Sequence, residues 1–306
     1  MPAPHVRLPR RRVDGVLLLD KPPGRSSNAA LQQAKRLYAA EKAGHAGTLD
    51  PLASGLLPIC FGEATKFAQS LLDARKAYIA TLRFGITTAT GDAEGDVVAE
   101  GPATIARADF ERVLPRFVGA VTQVPPRHAA LKFQGRNYYE YARAGIEIPR
   151  VARGIEIDEI VVLEWAPPLA TLRVACGKGT YIRVLAEDLA AAVGSCAHLA
   201  ALRRIAAGPF SLDRAVTLDA LEAMDAAARD ALLLPADSPL DGVPRLDVDT
   251  LVEVALMQGQ VAPAGQTSAG RYRCYGPRQR FLGLVEILDG SVRPLRLVRT
   301  DSAVWP

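Results

Sequence analysis

A glycine-rich loop around one aspartate constrains the fold of this chain more than any other stretch. Residues 44–51 read GHAGTLDP, and the chain continues through Gly55 into an apolar run, Leu56 to Phe61. Glycine allows backbone conformations that other residues avoid, so the chain can turn tightly beside a ligand. Pro51 disfavours helical geometry at Asp50 and fixes the turn that follows. The pattern predicts a carboxylate on a stiff loop next to a buried strand.

Two interpretations of Asp50 follow from these residues. In the first, its carboxylate caps the short turn behind it, as aspartate often does before the first turn of a helix. In the second, the carboxylate is a catalytic group at a place that a substrate can reach. Asp-Pro turns are common, so spacing alone favours the first interpretation.

Charge is unevenly distributed along the chain. The net charge of the 306 residues is only +4, but residues 1–12 contain four arginines and no acid. This segment predicts a flexible basic arm that either contacts phosphates or keeps the protein in solution. Residues 125–143 combine basic side chains with three tyrosines, a mixture that suits looped or single-stranded RNA. The same residues also fit a solvated amphipathic helix that ends at Gly145.

Several classes of protein are disfavoured. The four cysteines are far apart, so neither zinc-ligand spacing nor a disulfide framework is indicated. Gly177-Lys178-Gly179-Thr180 lacks the first glycine of a phosphate-binding P-loop. No apolar run approaches 18 residues, the length that predicts a membrane span. We therefore expect a cytoplasmic protein with no metal, no cofactor and no membrane association.

Periodicity predicts the elements that carry the other candidate residues. Residues 78–84 alternate as a strand that begins with Tyr78, and residues 170–176 form another strand. Thr180 is placed to cap a helix whose inner face is Ile182, Leu185, Ala186 and Leu189. Arg183 lies in the first turn of that helix, against the helix dipole, so a local partner such as Glu187 is expected. The acids of residues 91–96 are expected to be solvated.

The motifs resemble those of one family. The run from Gly44 to Pro58, Lys21-Pro22 followed by Ser26-Ser27, and Lys178-Gly179-Thr180-Tyr181-Ile182-Arg183 are similar to the motifs of the TruB family, the bacterial tRNA pseudouridine-55 synthases. The resemblance implies that Asp50 is the essential catalytic residue. It also implies that Arg183 pairs with Asp50 and that Tyr181 lines the pocket for the target base.

Four further roles are implied by the same resemblance. Tyr78 would stack on the target base, and Leu202 would contact it. His45 would hold the space that the flipped base leaves, and Lys21 would support the catalytic loop. The substrate would be the T-stem-loop of tRNA, bound by a monomer without an obligate protein partner.

The resemblance also implies an α+β fold. We expect a catalytic domain over residues 13–240, with a mixed, mostly antiparallel central sheet and flanking helices. A small β-rich domain resembling the PUA RNA-binding domain would follow over residues 245–306, where glycines punctuate short strands.

Three alternatives remain at this stage. An RNA-binding or RNA-folding protein would use the basic and aromatic segments without catalysis. A glycosidase would need a second carboxylate about 5–10 Å from the first, and no acid is near Asp50 in its motif. A related branch that acts on guide-directed RNA shares the core motifs, but the short chain favours the bacterial branch.

Overall fold

The computed structural model describes residues 10–265 and 267–299. Most of the predicted basic arm, residues 1–9, lies outside this part of the chain. Arg11 lies inside it and is attached to the fold. Its backbone pairs with Ala40, and its guanidinium donates to the Tyr38 carbonyl at 3.0 Å and forms an ion pair with Asp230. The described end of the arm is therefore part of the domain.

Fourteen strands lie in the described chain up to residue 217. They are β1 Gly15–Lys21, β2 Ala43–His45, β3 Ser54–Phe61, β4 Lys76–Phe84, β5 Ile86–Thr88, β6 Val97–Glu100, β7 Gly119–Gln123, β8 Lys132–Phe133, β9 Arg136–Asn137, β10 Arg153–Ala166, β11 Leu169–Cys176, β12 Ala197–Ala207, β13 Phe210–Ser211 and β14 Val216–Thr217. The α-helices of this region and the segment after it are α1 Ser27–Leu37, α2 Ala68–Asp73, α3 Arg107–Val113, α4 Tyr138–Arg143, α5 Ile182–Ala191, α6 Leu218–Ala223 and α7 Ala226–Asp230.

Ten of these strands form one mixed sheet. Its order is β14-β1-β3-β12-β4-β11-β10-β7, with β13 beside β12 and β2 beside β3. The pairs β1–β14 and β3–β12 are parallel, and the other pairs are antiparallel. This arrangement confirms the predicted mixed, mostly antiparallel sheet.

Helices cover both faces of the sheet. On one face, α5 buries its predicted inner side, including Leu185 and Leu189, against Phe84 and Leu172 of the strands. On the same face, Ala30 and Leu31 of α1 pack in a cluster with β1 and β3, and Tyr78 and Leu202 contact both clusters. On the opposite face, Leu71 of α2 is buried with Val16 and Leu18 of β1. Burying a leucine side chain fully stabilises a fold by about 1.5–3 kcal/mol, so these contacts fix the positions of the helices.

The segment after β3 forms two short helices in succession. A 3-10 helix over Gly62–Phe67 precedes α2. The backbone N–H of Glu63 donates to the Asp14 carboxylate at 2.6 Å, and the Thr65 hydroxyl donates to the Gly62 carbonyl at 2.7 Å. These local bonds tighten the first turns.

A second, smaller sheet follows residue 244. Its strands are β15 Arg245–Asp247, β16 Ala262–Pro263, β17 Gly270–Gly276, β18 Arg280–Leu288 and β19 Ser291–Leu297, and its helix is α8 Thr250–Met257. The order of the five strands is β15-β17-β18-β19-β16. Leu256, Leu282, Val285 and Ile287 share its core. The predicted β-rich C-terminal domain is confirmed.

The segment between the sheets is packed rather than free. Residues 234–244 have the composition of a linker, yet Leu240 is buried in a cluster with Phe67 and Val298. The Lys66 ammonium donates to the Leu297 carbonyl at 2.8 Å across the same junction. None of the described helices has both the length and the apolar character needed to cross a membrane.

Gly55 provides a test of how closely β3 approaches β12. Its φ is +97°, and an added Cβ would lie 2.3 Å from the Arg204 carbonyl oxygen. We expect Gly55→Ala to lower the free energy of unfolding by about 2–4 kcal/mol.

Gly44 is the matched control because it lies in the same motif, has no left-handed φ, and would place a Cβ in open space. Gly44→Ala should change stability by no more than about 1 kcal/mol. Urea denaturation of both variants measures the difference, and equal losses would contradict the close approach.

Candidate active site

Asp50 lies in the connection between β2 and β3. The two strands pair antiparallel, with Gly44 opposite Cys60 and His45 opposite Ile59. Gly47 adopts a φ of +91° where the loop passes over Arg204, and the Asp50 carbonyl accepts a bond from the Ala53 N–H at 3.1 Å. The loop is therefore a closed turn that projects from the sheet.

Two side chains hold this loop from behind. The Ser27 hydroxyl donates to the Leu49 carbonyl at 2.9 Å and accepts from its N–H at 2.8 Å. Lys21 is fully buried, and its ammonium donates to the carbonyls of Pro22, Arg25 and Pro51 at 2.8, 2.6 and 3.4 Å. Burial lowers the pKa of Lys21 to about 8, although Glu94 and Asp50 oppose this shift. Lys21 thus lies beneath the loop.

Arg183 contacts Asp50 from the first turn of α5. Its Nε lies 3.1 Å from Oδ2 of Asp50, and the guanidinium is buried. The remaining nitrogens donate to the carbonyls of Thr90 at 2.8 Å and His128 at 2.7 Å. Arg183 therefore contacts Asp50 through Nε. Three separate loops meet at one guanidinium.

The sequence patterns do not single out Asp92 as a site residue. Its loop is expected to be solvated, but Asp92 is only 3% exposed and its carboxylate lies 3.5 Å from Nη1 of Arg183. The Thr90 hydroxyl and the Glu94 N–H donate to Oδ1 of Asp92 at 2.6 and 3.1 Å. The expectation that the acids of this loop are solvated is wrong for Asp92, because Arg183 and local donors replace water. Glu187, the local candidate, forms no ion pair with Arg183 among the described residues.

The surroundings of Asp50 make its carboxyl easier to protonate than that of an ordinary aspartate. Burial raises the pKa of the Asp50 carboxyl above its ordinary value, Arg183 opposes this shift, and the charge of Asp92 adds to it. The net direction is upward, so the guanidinium offsets burial only in part. A carboxylate of this kind holds a proton more readily than an exposed aspartate.

A cavity of about 300 Å³ opens beside Asp50. Its lining includes Asp50, Tyr78, Tyr181, Arg183 and Leu202 of the predicted site residues. Lys21 and His45 lie outside the lining. His45 is half-buried, and its Nδ1 has no partner among the described residues. Its pKa is lowered mainly by burial and to a smaller extent by the charge of Arg204.

Tyr181 is positioned by residues that periodicity does not single out. The carboxamide of the buried Gln123 donates to the Tyr181 carbonyl at 3.1 Å and accepts from its N–H at 2.8 Å. The Arg153 guanidinium lies 5.1 Å from the centre of the Tyr181 ring. Thr180 does not cap α5 as expected, because its hydroxyl donates to the Gly177 carbonyl at 3.1 Å.

The basic and aromatic segment folds beside this cavity. It contains the short helix α4, which begins with a capping box between Asn137 and Glu140. Arg136 and Arg143 lie over the rings of Tyr141 and Tyr139, at 5.4 and 5.5 Å from the ring centres. A second cavity of about 380 Å³, lined by Arg127, His128, Tyr138 and Arg150 among others, adjoins it. His128 lines both cavities.

Comparison with known proteins identifies the class. The fold is similar to that in the crystal structure of a Cbf5-Nop10-Gar1 complex, with a TM-score of 0.68 and 27% sequence identity over 90% of this chain and 78% of that one. A model of the TruB family pseudouridylate synthase N-terminal domain matches residues 35–182, which contain the Asp50 loop. Fold and site together define a pseudouridine synthase.

Two further models extend the match to the C-terminal part. The tRNA pseudouridylate synthase B C-terminal domain matches residues 183–241, and the pseudouridine synthase II TruB C-terminal model matches residues 244–298. The chain belongs to the TruB family. It is 52% identical to tRNA pseudouridine synthase B of Azoarcus sp. (strain BH72), over 97% of this chain and 98% of that protein. It is 53% identical to the protein of that name from Cupriavidus pinatubonensis, over 96% of each.

The raised pKa of Asp50 predicts an effect on stability. Because the folded-state pKa lies above the unfolded value, the folded chain binds the proton more tightly. The destabilising effect of the ionised carboxylate is therefore absent below the ordinary pKa of aspartate and fully present above the raised one. The free energy of unfolding of Asp50→Asn should therefore be higher than that of the wild type at neutral pH. This difference in stability should disappear as the pH falls.

Asp96→Asn is the matched control, since Asp96 is an exposed acid. Urea denaturation at several pH values should show no comparable gap for this variant. An Asp50→Asn variant that is less stable than the wild type at neutral pH would contradict the proposed balance of burial and charge.

Proposed function

We propose that this chain isomerises uridine 55 in the T-loop of tRNA to pseudouridine. The observation that carries the proposal is the 3.1 Å contact between Arg183 and Asp50 in a cleft of a TruB-family chain. The isomerisation breaks the C1′–N1 glycosidic bond, turns the uracil and joins it to C1′ through C5, while C5 loses a proton and N1 gains one. No oxidant, reductant or group donor enters this balance.

Asp50 is the catalytic residue in this proposal. Arg183 contacts the carboxylate at Oδ2. The carboxylate either attacks the sugar, attacks the base or takes a ribose proton. In each case the carboxylate must be ionised, so Arg183 supports activity by opposing the effect of burial.

The cavity would hold the flipped base. Tyr78 stacks on the uracil, Tyr181 lines the pocket and Leu202 contacts the base edge. His45 holds the space that the base leaves in the RNA, and Lys21 supports the catalytic loop from beneath. Extrusion of a base costs a few kcal/mol, and stacking on an aromatic ring returns about 1–3 kcal/mol.

The rest of the T-stem-loop would bind along the basic and aromatic segment. Arg127 and Arg150 line the cavity next to the active site, where phosphates of the folded loop could be met. Affinity that depends on phosphate contacts falls as salt concentration rises. Recognition is then mainly of RNA shape, with the target base read in the cavity.

We also propose the division of labour along the chain. Residues 13–240 form the catalytic domain, and residues 245–306 form the PUA-like RNA-binding domain. Residues 266 and 300–306 of the latter lie outside the described part. The family models that end at residue 241 and begin at 244 support this boundary. The protein would act in the cytoplasm as a monomer on free tRNA, without an obligate protein partner. The four free cysteines suit a reducing compartment.

Asp50→Asn tests the proposed catalytic role. The variant should bind a T-arm hairpin with an affinity within about twofold of the wild type, because phosphate contacts supply most of the affinity. It should form no pseudouridine. Tritium release from C5-tritiated uridine and carbodiimide labelling with primer extension both measure the product.

Asp96→Asn is again the control and should release tritium at the wild-type rate. Product formation by Asp50→Asn would reject the assignment of the catalytic residue. A wild-type chain that binds the hairpin but releases no tritium would instead indicate an RNA-binding protein without catalysis.

Asp92→Asn tests the second carboxylate. Loss of this charge removes one partner of Arg183, so the Asp50 contact should be less well aligned. We expect the single-turnover rate to fall roughly 10- to 100-fold, with RNA affinity unchanged. Glu187→Gln is the control, since Glu187 lies one helical turn from Arg183 without pairing with it. A normal rate in Asp92→Asn would show that the carbonyl contacts alone hold Arg183.

A further inference from the structure

Arg204 is a buried cation without a carboxylate partner. It is 1% exposed, yet the ion pairs of the described residues include Arg203 with Asp20 and none with Arg204. Its Nε donates to the Leu56 carbonyl at 2.7 Å, and its Nη2 donates to the Gly47 carbonyl at 3.1 Å. Buried charges are normally paired, because desolvation disfavours them strongly. Carbonyl dipoles leave a net positive charge here.

Strand geometry places this charge at the floor of the active-site cavity. Side chains two residues apart on a strand share a face, so Arg204 lies on the same side of β12 as Leu202, and both line the cavity. Arg204 is also the register partner of Tyr78 on β4. Burial raises the pKa of the Tyr78 hydroxyl, and the charge of Arg204 opposes this shift.

The charge of Arg204 acts on other groups around the cavity. The ammonium of Lys76 donates to the carbonyls of Leu72 and Ala74. Burial lowers the pKa of Lys76 to about 8, and the charge of Arg204 is the second cause of this shift. The same two causes, in the same order, lower the pKa of His45. Arg204 therefore makes further positive charge around this floor less favourable, in addition to the effect of burial. The carboxylates of Asp50 and Asp92 lie at Arg183 instead.

We propose that Arg204 stabilises the negative charge that develops on the uracil when its bond to C1′ breaks. The inference rests on the proposed function. The electron pair of the C1′–N1 bond leaves with the uracil, and C1′ is compensated either by a bond to the Asp50 carboxylate or by loss of a ribose proton. The uracil then donates an electron pair from C5 to C1′, which releases the Asp50 carboxylate or is accompanied by return of the ribose proton. The C5 proton leaves, and N1 gains a proton. If Asp50 attacks the base first, negative charge also develops on the pyrimidine.

Arg204 is a positioning residue in this proposal, since its guanidinium donates to the loop at Gly47 and its strand pairs it with Tyr78. It supplies fixed positive charge beside the cavity, in a place that water hardly reaches. Preorganised charge of this kind needs no rearrangement when the bond breaks.

A substrate whose uracil anion is already stabilised distinguishes the proposed electrostatic role of Arg204 from a purely structural role. Fluorine at C5 withdraws electrons and stabilises the uracil anion, so cleavage of 5-fluorouridine depends less on the protein's positive charge. Two T-arm hairpins, with uridine or 5-fluorouridine at the target position, are incubated with excess enzyme. Consumption of the target nucleoside is followed by chromatography of digested RNA, because fluorine cannot leave C5 as the proton does.

Arg204→Gln removes the charge at similar side-chain length. It should slow the conversion of uridine roughly 10- to 100-fold. The factor by which it slows the conversion of 5-fluorouridine should be smaller than this by about fivefold or more. Arg204→Lys keeps the charge and should keep the wild-type ratio of the two rates. Arg203→Gln, next in the chain, should leave both rates within about twofold of the wild type.

Equal slowing of both substrates in Arg204→Gln would overturn the proposal in favour of a structural role. Unchanged rates in Arg204→Gln, or a changed ratio in Arg204→Lys, would overturn it as well. A partly unfolded preparation lowers both rates together and leaves their ratio unchanged, and Arg204→Lys supplies the test if Arg204→Gln does not fold. A wild-type chain that converts neither substrate would overturn the proposed function itself.

Discussion

The charge of Asp50 depends on two opposing effects, burial in the cleft and the Arg183 guanidinium 3.1 Å away. Burial favours the protonated acid, and the guanidinium favours the carboxylate. Burial is the larger effect, so loss of the Arg183 contact would raise the pKa of the Asp50 carboxyl further. This explains why four other groups, the carbonyls of Thr90 and His128, the Asp92 carboxylate and the Gln123 carboxamide at the start of α5, surround that helix turn.

The sheet brings these groups together from distant parts of the chain. The parallel pairing of Gly55 with Arg204 sets the Asp50 loop above the cavity floor, and the antiparallel pairing of Arg204 with Tyr78 forms that floor. α5 brings Arg183 to one wall, while Arg204 lies beneath. The cleft therefore contains two guanidinium groups in different surroundings. Arg183 contacts two carboxylates as well as two carbonyls, whereas Arg204 donates to carbonyls.

Patterns that repeat along the chain predicted the parts of the fold that depend on local packing. The alternation of residues 78–84 and the inner face of α5 are examples, since each reflects burial of one side of one element. The resemblance to the TruB family implied that Arg183 pairs with Asp50. Asp92 could not be found in this way, because it precedes Arg183 by 91 positions and its burial depends on how two loops meet. Arg203 and Arg204 are likewise indistinguishable in sequence, yet the register of β12 gives only Arg203 an acid.

The most direct test of this account is the titration of the Asp50 carboxyl, followed by carbon NMR of labelled aspartate, with Asp50→Asn to assign the signal. The account predicts that Asp50 titrates above the ordinary range of aspartate in the wild type. In Arg183→Met it should titrate higher still, because burial would then act without the opposing charge. An Asp50 carboxyl with an ordinary pKa that does not respond to the loss of Arg183 would contradict the account.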